Sequence, residues 1–125
     1  MDLTITATER TPGVFILRPI GPIDTKTSSL LEEKVDFILK GTTMSMIFDM
    51  EGVHYISSAG IRVIFKAQNE LKRRDGQFLL MNLQPQVKKV FEIINALPTL
   101  RVFSSVRELD QYLDVMQKKV TGDLE

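Results

Sequence analysis

Two adjacent serines carry the hydroxyl groups of this chain that are best placed for chemistry. Ser57 and Ser58 belong to the segment Tyr-Ile-Ser-Ser-Ala-Gly-Ile, residues 55–61, between an apolar strand-like run and a long amphipathic helix pattern. We therefore expect them at a helix N-terminus, where backbone N–H groups lack partners within the helix and the helix dipole is positive. Such a position holds a phosphate well, so a serine that is switched by phosphorylation is the leading hypothesis.

A structural role for the same serines is open as well. Either side-chain oxygen can accept a hydrogen bond from a first-turn N–H and so cap the helix, and this role is compatible with phosphorylation. Arg62 lies one helical turn after Ser58 and could pair with a phosphate there. Gly60 either keeps the hydroxyl accessible to a partner or is simply tolerated in the first turn.

Two groups of acids lie near expected strand ends. Asp24 follows the Gly-Pro break at residues 21–22, where it either forms an Asx turn or cap before Thr27 or orients the serine hydroxyl and its loop. Asp49 and Glu51 flank the end of the central apolar run. Because no acidic pair follows the first strand, the pattern of a two-component receiver site is poor.

The motifs of common catalytic and cofactor sites are missing from the sequence. It contains no Gly-x-x-x-x-Gly-Lys loop, no Gly-x-Gly-x-x-Gly segment, no cysteine and no clustered zinc ligands. His54 is the single histidine, so it is the only candidate base for a nucleophilic Ser58. We therefore expect no catalytic residue, no metal and no cofactor, and we interpret the chain as the substrate of another enzyme.

Composition indicates one soluble domain. The 125 residues are 43% apolar and 26% charged, and no apolar run approaches the roughly 18 residues of a membrane span. Sixteen basic residues balance sixteen acidic ones, so no overall charge favours nucleic acid or anionic lipid. The N-terminus does not resemble a signal peptide and cysteine is absent, which favours a cytoplasmic location.

Alternating apolar runs and amphipathic stretches predict an α/β domain. Strands are expected at 3–8, 14–17, 44–50, 78–83 and 100–103. Helices are expected from Thr27 or Ser28 to a Gly41 cap, from the serine pair to Asp75, from Pro85 to Leu97, and across the last apolar stripe at 106–116. The sequence thus predicts one mixed sheet of about five strands with about four helices over residues 1–117, and a polar C-terminal tail at 118–125.

These motifs together resemble the STAS domain, specifically the bacterial anti-sigma factor antagonists. The resemblance covers nearly the whole chain. Its most specific part is Tyr-Ile-Ser-Ser-Ala-Gly-Ile-Arg at 55–62, supported by Gly-Pro-Ile-Asp at 21–24, the strand at 46–50 and the helix at 85–97.

The resemblance implies a partner-switching function. It places the phosphate acceptor at Ser58, two residues before the motif glycine, and matches the family's turn aspartate to Asp24. It further implies that the unphosphorylated protein binds an anti-sigma factor that is a GHKL-type serine kinase, which frees the sigma factor, and that a metal-dependent serine phosphatase reverses the modification.

Two positions depart from the family pattern. Ser57 stands where many members have aspartate, and Ala59 replaces a frequent second serine, so Ser58 is the less ambiguous acceptor and Ser57 the fallback. The alternative function is a non-switching STAS scaffold subunit of a transport or sensory complex. A small enzyme that uses Ser58 with His54 as base is a third class.

Overall fold

One mixed sheet forms the centre of the fold. The computed structural model describes residues 2–96 and 106–121. The sheet contains β1 (Thr4–Thr11), β2 (Val14–Ile20), β3 (Ser45–Asp49) and β4 (Gln77–Met81), in that spatial order. β1 and β2 form an antiparallel hairpin, whereas β2, β3 and β4 run parallel.

Four helices alternate with or follow the strands. They are α1 (Ser28–Leu39), α2 (Ser58–Arg73), α3 (Pro85–Ala96) and α4 (Val106–Thr121). The predicted α/β class and mixed sheet are therefore confirmed. The described part of the sheet has four strands, because the expected fifth strand at 100–103 lies outside the described residues. Helix α4 continues through Thr121, so the first four residues of the expected tail at 118–125 are helical; the domain boundary at residue 117 stays a prediction.

The expected caps of α1 are confirmed only in part: Thr27 is the N-terminal cap residue but makes no side-chain capping bond, and Gly41 as the C-terminal cap is wrong. Thr27 precedes the helix, but its hydroxyl donates to the Pro22 carbonyl at 2.8 Å and accepts from the Asp24 N–H at 2.8 Å, so it stabilises the preceding turn instead. At the other end the last cap is Lys40 in right-handed backbone, and Gly41 does not adopt the positive φ of a glycine cap. Local propensity located both ends of the helix but not the bonds made there.

The hydrophobic core lies between the sheet and the helices. Leu17 of β2 pairs with Phe48 of β3 and both side chains are fully buried. They join one apolar cluster with Val35 of α1 and Leu71 of α2. Removing this apolar surface from water stabilises the fold, by roughly 25 cal/mol for each Å². It also fixes α2 over the carboxyl end of β3, where the serine segment begins.

Candidate functional site

The serine segment is attached to the Gly-Pro-Ile-Asp turn by backbone hydrogen bonds. Ile23 and Ile56 form an isolated parallel bridge. The Ile23 N–H donates to the Tyr55 carbonyl at 3.0 Å, and the Ser57 N–H donates to the Ile23 carbonyl at 2.8 Å. The two motifs that the sequence separates by some thirty residues therefore meet at one edge of the fold.

Ser57 caps α2, and Ser58 is the first helical residue. Ser57 has extended backbone, with φ −92° and ψ 171°, and its Oγ accepts from the Gly60 N–H at 3.3 Å. Ser57 is also almost fully buried. The capping role that the sequence left open between the two serines belongs to Ser57, which leaves the Ser58 hydroxyl without that structural task.

The Ser58 hydroxyl is buried and unsatisfied. Its Oγ has almost no solvent-exposed surface and no hydrogen-bond partner among the described residues. The backbone N–H of Ser58 does have a partner, the Asp110 carboxylate oxygen Oδ1 of α4, at 3.1 Å. A buried polar group without a partner costs about 1 to 3 kcal/mol, so this hydroxyl does not contribute to the stability of the fold.

Gly60 is required by close packing. A Cβ at this position would lie 2.5 Å from Ile23 Cγ2 and 2.9 Å from Ile56 Cγ1, both on buried side chains. Its small size therefore brings the first turn of α2 against the bridge between the two motifs. This reason differs from both sequence interpretations, which were access for a partner and simple tolerance of glycine.

Asp24 forms the local turn that was one of its two expected roles. Its Oδ1 accepts from the N–H groups of Lys26 at 2.9 Å and Thr27 at 2.8 Å. The hydrogen bond from the Thr27 backbone is the main cause that lowers the pKa of Asp24 below its ordinary value. Its link to the serines is indirect, because the neighbouring residue Ile23 accepts the Ser57 N–H.

Helix α4 supplies site residues that the sequence reasoning missed. The Gln117 side chain is buried; its Oε1 accepts from the Ile56 N–H and its Nε2 donates to the Ile56 carbonyl, both at 2.9 Å. The Asp110 carboxylate accepts the hydrogen bond from the Ser58 N–H. These residues were missed because their partners lie 61 and 52 positions earlier in the chain, and a polar residue of an amphipathic helix carries no local sign of such a contact.

Tyr55 connects the serine segment to the acids of the site. Burial raises the pKa of its hydroxyl, and the nearby carboxylates of Asp114, Asp110 and Asp24 raise that pKa further. The neutral Tyr55 hydroxyl hydrogen-bonds Asp114. Three carboxylates thus lie near the Tyr55 hydroxyl, of which Asp114 also pairs with Lys118 at 3.1 Å.

Arg62 lies on an exposed part of α2. It lines a groove between α1 and α2 together with Glu32, Asp36 and Lys66, and Lys66 bridges the two acids at 3.2 Å each. The pairing of Arg62 with a phosphate on Ser58 stays a prediction.

His54 does not bond to Ser58. Its exposed ring lies 3.3 Å from the Gln86 amide nitrogen, and the Ser58 Oγ has no partner among the described residues. A serine–histidine pair is therefore not assembled in this structure.

Asp49 has a structural role. Its carboxylate accepts from Arg18 Nε at 3.1 Å and from the Asn82 amide at 3.1 Å. Burial raises its pKa, but the hydrogen bonds from Asn82, the Glu51 N–H and Arg18 lower that pKa more, so the net shift is downward. Within the described residues, no three histidine, cysteine or acidic side chains are grouped so that they could hold a metal ion.

The fold and the site together define a STAS domain. The family model of the STAS domain matches residues 6–109, and the chain belongs to this family. The match includes both the Gly-Pro-Ile-Asp turn and the serine segment.

The relatives by sequence are named as anti-sigma factor antagonists. BtrV of Bordetella bronchiseptica, whose name assigns it to that class, is 29% identical over 105 residues, which cover 84% of this chain and 88% of BtrV. The anti-sigma F factor antagonist of Lysinibacillus sphaericus is 24% identical over 102 residues, covering 81% of this chain and 87% of its own.

Solved structures of SpoIIAA have the same fold. The unphosphorylated form of this anti-sigma factor antagonist matches with a TM-score of 0.68 and 22% identity, covering 74% of this chain and 81% of SpoIIAA. The phosphorylated form, from Bacillus, matches with a TM-score of 0.63 and 21% identity, covering 73% and 83%. The chain is thus an anti-sigma factor antagonist-like STAS domain. Of the helices that the structure describes, none combines the length and hydropathy that crossing a bilayer demands.

Proposed function

We propose that this protein is an anti-sigma factor antagonist controlled by phosphorylation of Ser58. In its unphosphorylated form it binds an anti-sigma factor that is also a GHKL-type serine kinase, and this binding releases the sigma factor. The phosphorylated form dissociates, and a metal-dependent serine phosphatase restores it. The protein acts in the cytoplasm, as a binding module and a substrate rather than as an enzyme.

The observation that carries the proposal is that the two serines have different roles. Ser57 makes the capping bond of α2, whereas the Ser58 Oγ makes no hydrogen bond within the described residues. Modification of the Ser58 hydroxyl would thus leave the helix cap intact. Relatives of the antagonist class and the existence of SpoIIAA in a phosphorylated form support control by phosphorylation in general.

Phosphorylation of Ser58 needs chemistry that the partner provides. The Ser58 oxygen forms a bond to the γ-phosphorus of ATP, the bond from that phosphorus to the β,γ-bridging oxygen breaks, and ADP leaves. The hydroxyl proton passes to a base of the kinase. The product carries roughly −1.5 to −2 charges at neutral pH, in a region that already contains Asp24 and Asp110.

The added charge opposes docking of the same surface. A dianion at the first residue of α2 must lose its hydration when a partner covers it, and it repels acidic groups on either side. A change of only ~1.4 kcal/mol alters affinity tenfold, so a modest repulsion suffices for release.

The test uses three variants against the cognate kinase with ATP. Ser58→Ala should stay bound and unmodified, and Ser58→Asp should bind weakly. Ser57→Ala, the matched control, should still gain phosphate on Ser58 because it removes only the cap. Mass spectrometry reports the modified residue, and phosphate on Ser57 or elsewhere in the parent protein would overturn the assignment.

Burial of the Ser58 hydroxyl favours a second candidate, the non-switching STAS scaffold of a transport or sensory complex. A scaffold forms a complex that is the same with and without ATP. Capture of partners with and without ATP distinguishes the two candidate functions, because only the switching protein changes its partners and gains phosphate.

A further inference from the structure

Helix α4 covers the proposed phosphorylation site. Its Asp110 accepts the Ser58 N–H at 3.1 Å, and its Gln117 satisfies both backbone groups of Ile56 at 2.9 Å. Leu113, between them in sequence, is buried in the main core cluster. The contact is therefore specific: side chains of α4 bond to three backbone groups of the serine segment.

Beside these contacts, the Ser58 hydroxyl is closed off. The Oγ has neither solvent exposure nor a hydrogen-bond partner among the described residues. Phosphoryl transfer requires this oxygen to approach the γ-phosphorus in line with the leaving group, at a distance of about 3 to 3.5 Å. A kinase cannot bring ATP to such a position while the oxygen is buried.

The Asp110 carboxylate occupies the anion position at the start of α2. A helix N-terminus attracts negative charge because its first N–H groups are free and its dipole is positive. In this structure the Ser58 N–H already bonds to a carboxylate of the same chain. A phosphate on Ser58 and the Asp110 carboxylate would then compete for one positive position.

We propose that α4 is a removable cover of Ser58, held closed by Gln117 and Asp110, and that the kinase phosphorylates only the form in which α4 has left. The inference rests on the proposed function for the role of Ser58 as phosphate acceptor. Once formed, the phosphate takes the place of the Asp110 carboxylate, and its repulsion of Asp110 and Asp114 keeps α4 away. The cover thus sets the rate of modification, and modification in turn holds the cover open.

The cover is tested without any kinase, through a thiol at the acceptor position. The chain has no cysteine, so the Ser58→Cys variant contains a single thiol. N-ethylmaleimide reacts with that thiol only when α4 is open, and the reaction in strong denaturant gives the rate for the uncovered position. In native buffer the folded variant should react at least about tenfold more slowly than the denatured one.

Substitutions in α4 should then raise the labelling rate of the Ser58→Cys thiol in a defined order. Adding Gln117→Ala to Ser58→Cys removes two hydrogen bonds to Ile56 and should speed labelling by about tenfold or more. Adding Asp110→Asn removes the charge and should give a smaller increase. Gln111→Ala changes an exposed residue of the same helix and should leave the rate unchanged.

Local opening is separated from unfolding by a thiol at a second position, in a separate variant. Ala67 lies on the same helix as Ser58 but is fully buried in the core, so Ala67→Cys reports unfolding of the body of the protein. Gln117→Ala should not speed labelling at position 67. A low concentration of urea should raise the labelling rate at position 67 more steeply than the rate at position 58, because departure of α4 exposes less surface than unfolding of the body of the protein. This urea dependence decides the question even if Gln117→Ala lowers overall stability.

The possible outcomes distinguish a failure of the cover from a failure of the proposed function. Labelling of folded Ser58→Cys at the denatured rate, or equal acceleration at positions 58 and 67, overturns the cover. If the thiol at position 58 is protected and released as expected, but the kinase modifies Ser58 in neither the parent nor Gln117→Ala, the cover stands and the proposed function fails. If Ser58 is phosphorylated equally fast in both proteins, the function stands and control by α4 is wrong.

Discussion

The two ends of helix α2 are held in opposite ways. At the C-terminal end, the Arg74 guanidinium donates to the carbonyls of Leu39 at 2.5 Å, Gly41 at 3.3 Å and Thr43 at 3.2 Å. It also bonds to Glu70, one turn earlier on α2, at 3.0 Å. One side chain thereby ties the end of α2 to the end of α1 and to the segment that enters β3.

At the N-terminal end, the backbone bond to Ile23 is joined by side-chain bonds from far along the chain. Asp110 and Gln117 of α4 supply the bonds, and the Ser58 hydroxyl between them has no partner among the described residues. The C-terminal end thus uses its polar groups for stability, whereas the N-terminal end leaves one reactive group unused. That difference is what a rigid support with a modifiable end requires, since a site that must open belongs to the less stable part of a fold.

The largest expected effect of a single change lies at Gly60, where the N-terminal end meets the body of the fold. Gly60→Ala places a methyl group 2.5 Å from Cγ2 of Ile23, whose side chain is fully buried. We expect a loss of about 2 to 3 kcal/mol in the free energy of unfolding, as for other overpacked positions. Urea denaturation followed by circular dichroism measures it.

Gly41→Ala is the matched control for that substitution. A Cβ at Gly41 meets only the Ile38 carbonyl at 3.7 Å, an ordinary contact, so stability should stay within about 0.5 kcal/mol of the parent. Equal losses at the two glycines would show that backbone freedom, and not packing against the Ile23–Ile56 bridge, makes position 60 sensitive.

A smaller effect is expected from Arg74 at the C-terminal end. Arg74→Ala removes the donors to three carbonyls and should cost about 2 kcal/mol, the usual value for hydrogen bonds made by a charged group. Arg73→Ala is the control, because Arg73 bonds to Glu70 at the surface and its side chain is 73% exposed. The two losses are compared by urea denaturation, and similar values would contradict the special role given to Arg74.

The sequence predicted the frame of this site better than its contacts. Periodic apolar residues correctly predicted the strands and helices within the described residues, and the change of pattern at residue 58 correctly predicted the start of α2. Which serine caps could not be predicted, because Ser57 and Ser58 have the same propensity. The choice is fixed by the bond from the Ser57 N–H to Ile23, a contact between distant segments.

The roles of Gly60, Asp110 and Gln117 could not be predicted from the sequence, for a related reason. The residues that flank a glycine in a first turn do not indicate whether a buried isoleucine packs against it. Likewise, polar residues on an amphipathic helix indicate its solvent side, and nothing local marks the one glutamine that turns inward to bond a backbone amide. Such residues are determined by how elements pack together, which periodicity does not encode.

The smallest expected effect concerns the charge on Glu70. Hydrogen bonds from Arg73 and Arg74 lower the pKa of Glu70 from 4.5 to about 2. Because the folded-state pKa lies below the unfolded value, this carboxylate stabilises the fold above pH 4.5, and that contribution is lost as the pH falls toward 2. Glu70→Gln should therefore have a flatter dependence of melting temperature on pH over this range than the parent protein.

Measurements at high ionic strength and a control variant at another glutamate make the test of Glu70 more specific. Because the group is exposed to solvent, its contribution should be small and should shrink further at high ionic strength. Glu92→Gln, an exposed carboxylate of α3 outside this cluster, is the control and should keep the parent's pH profile. An unchanged profile in Glu70→Gln would mean that Arg74 holds the C-terminal end of α2 through the backbone carbonyls alone, so that its ion pair is incidental to the attachment of α1.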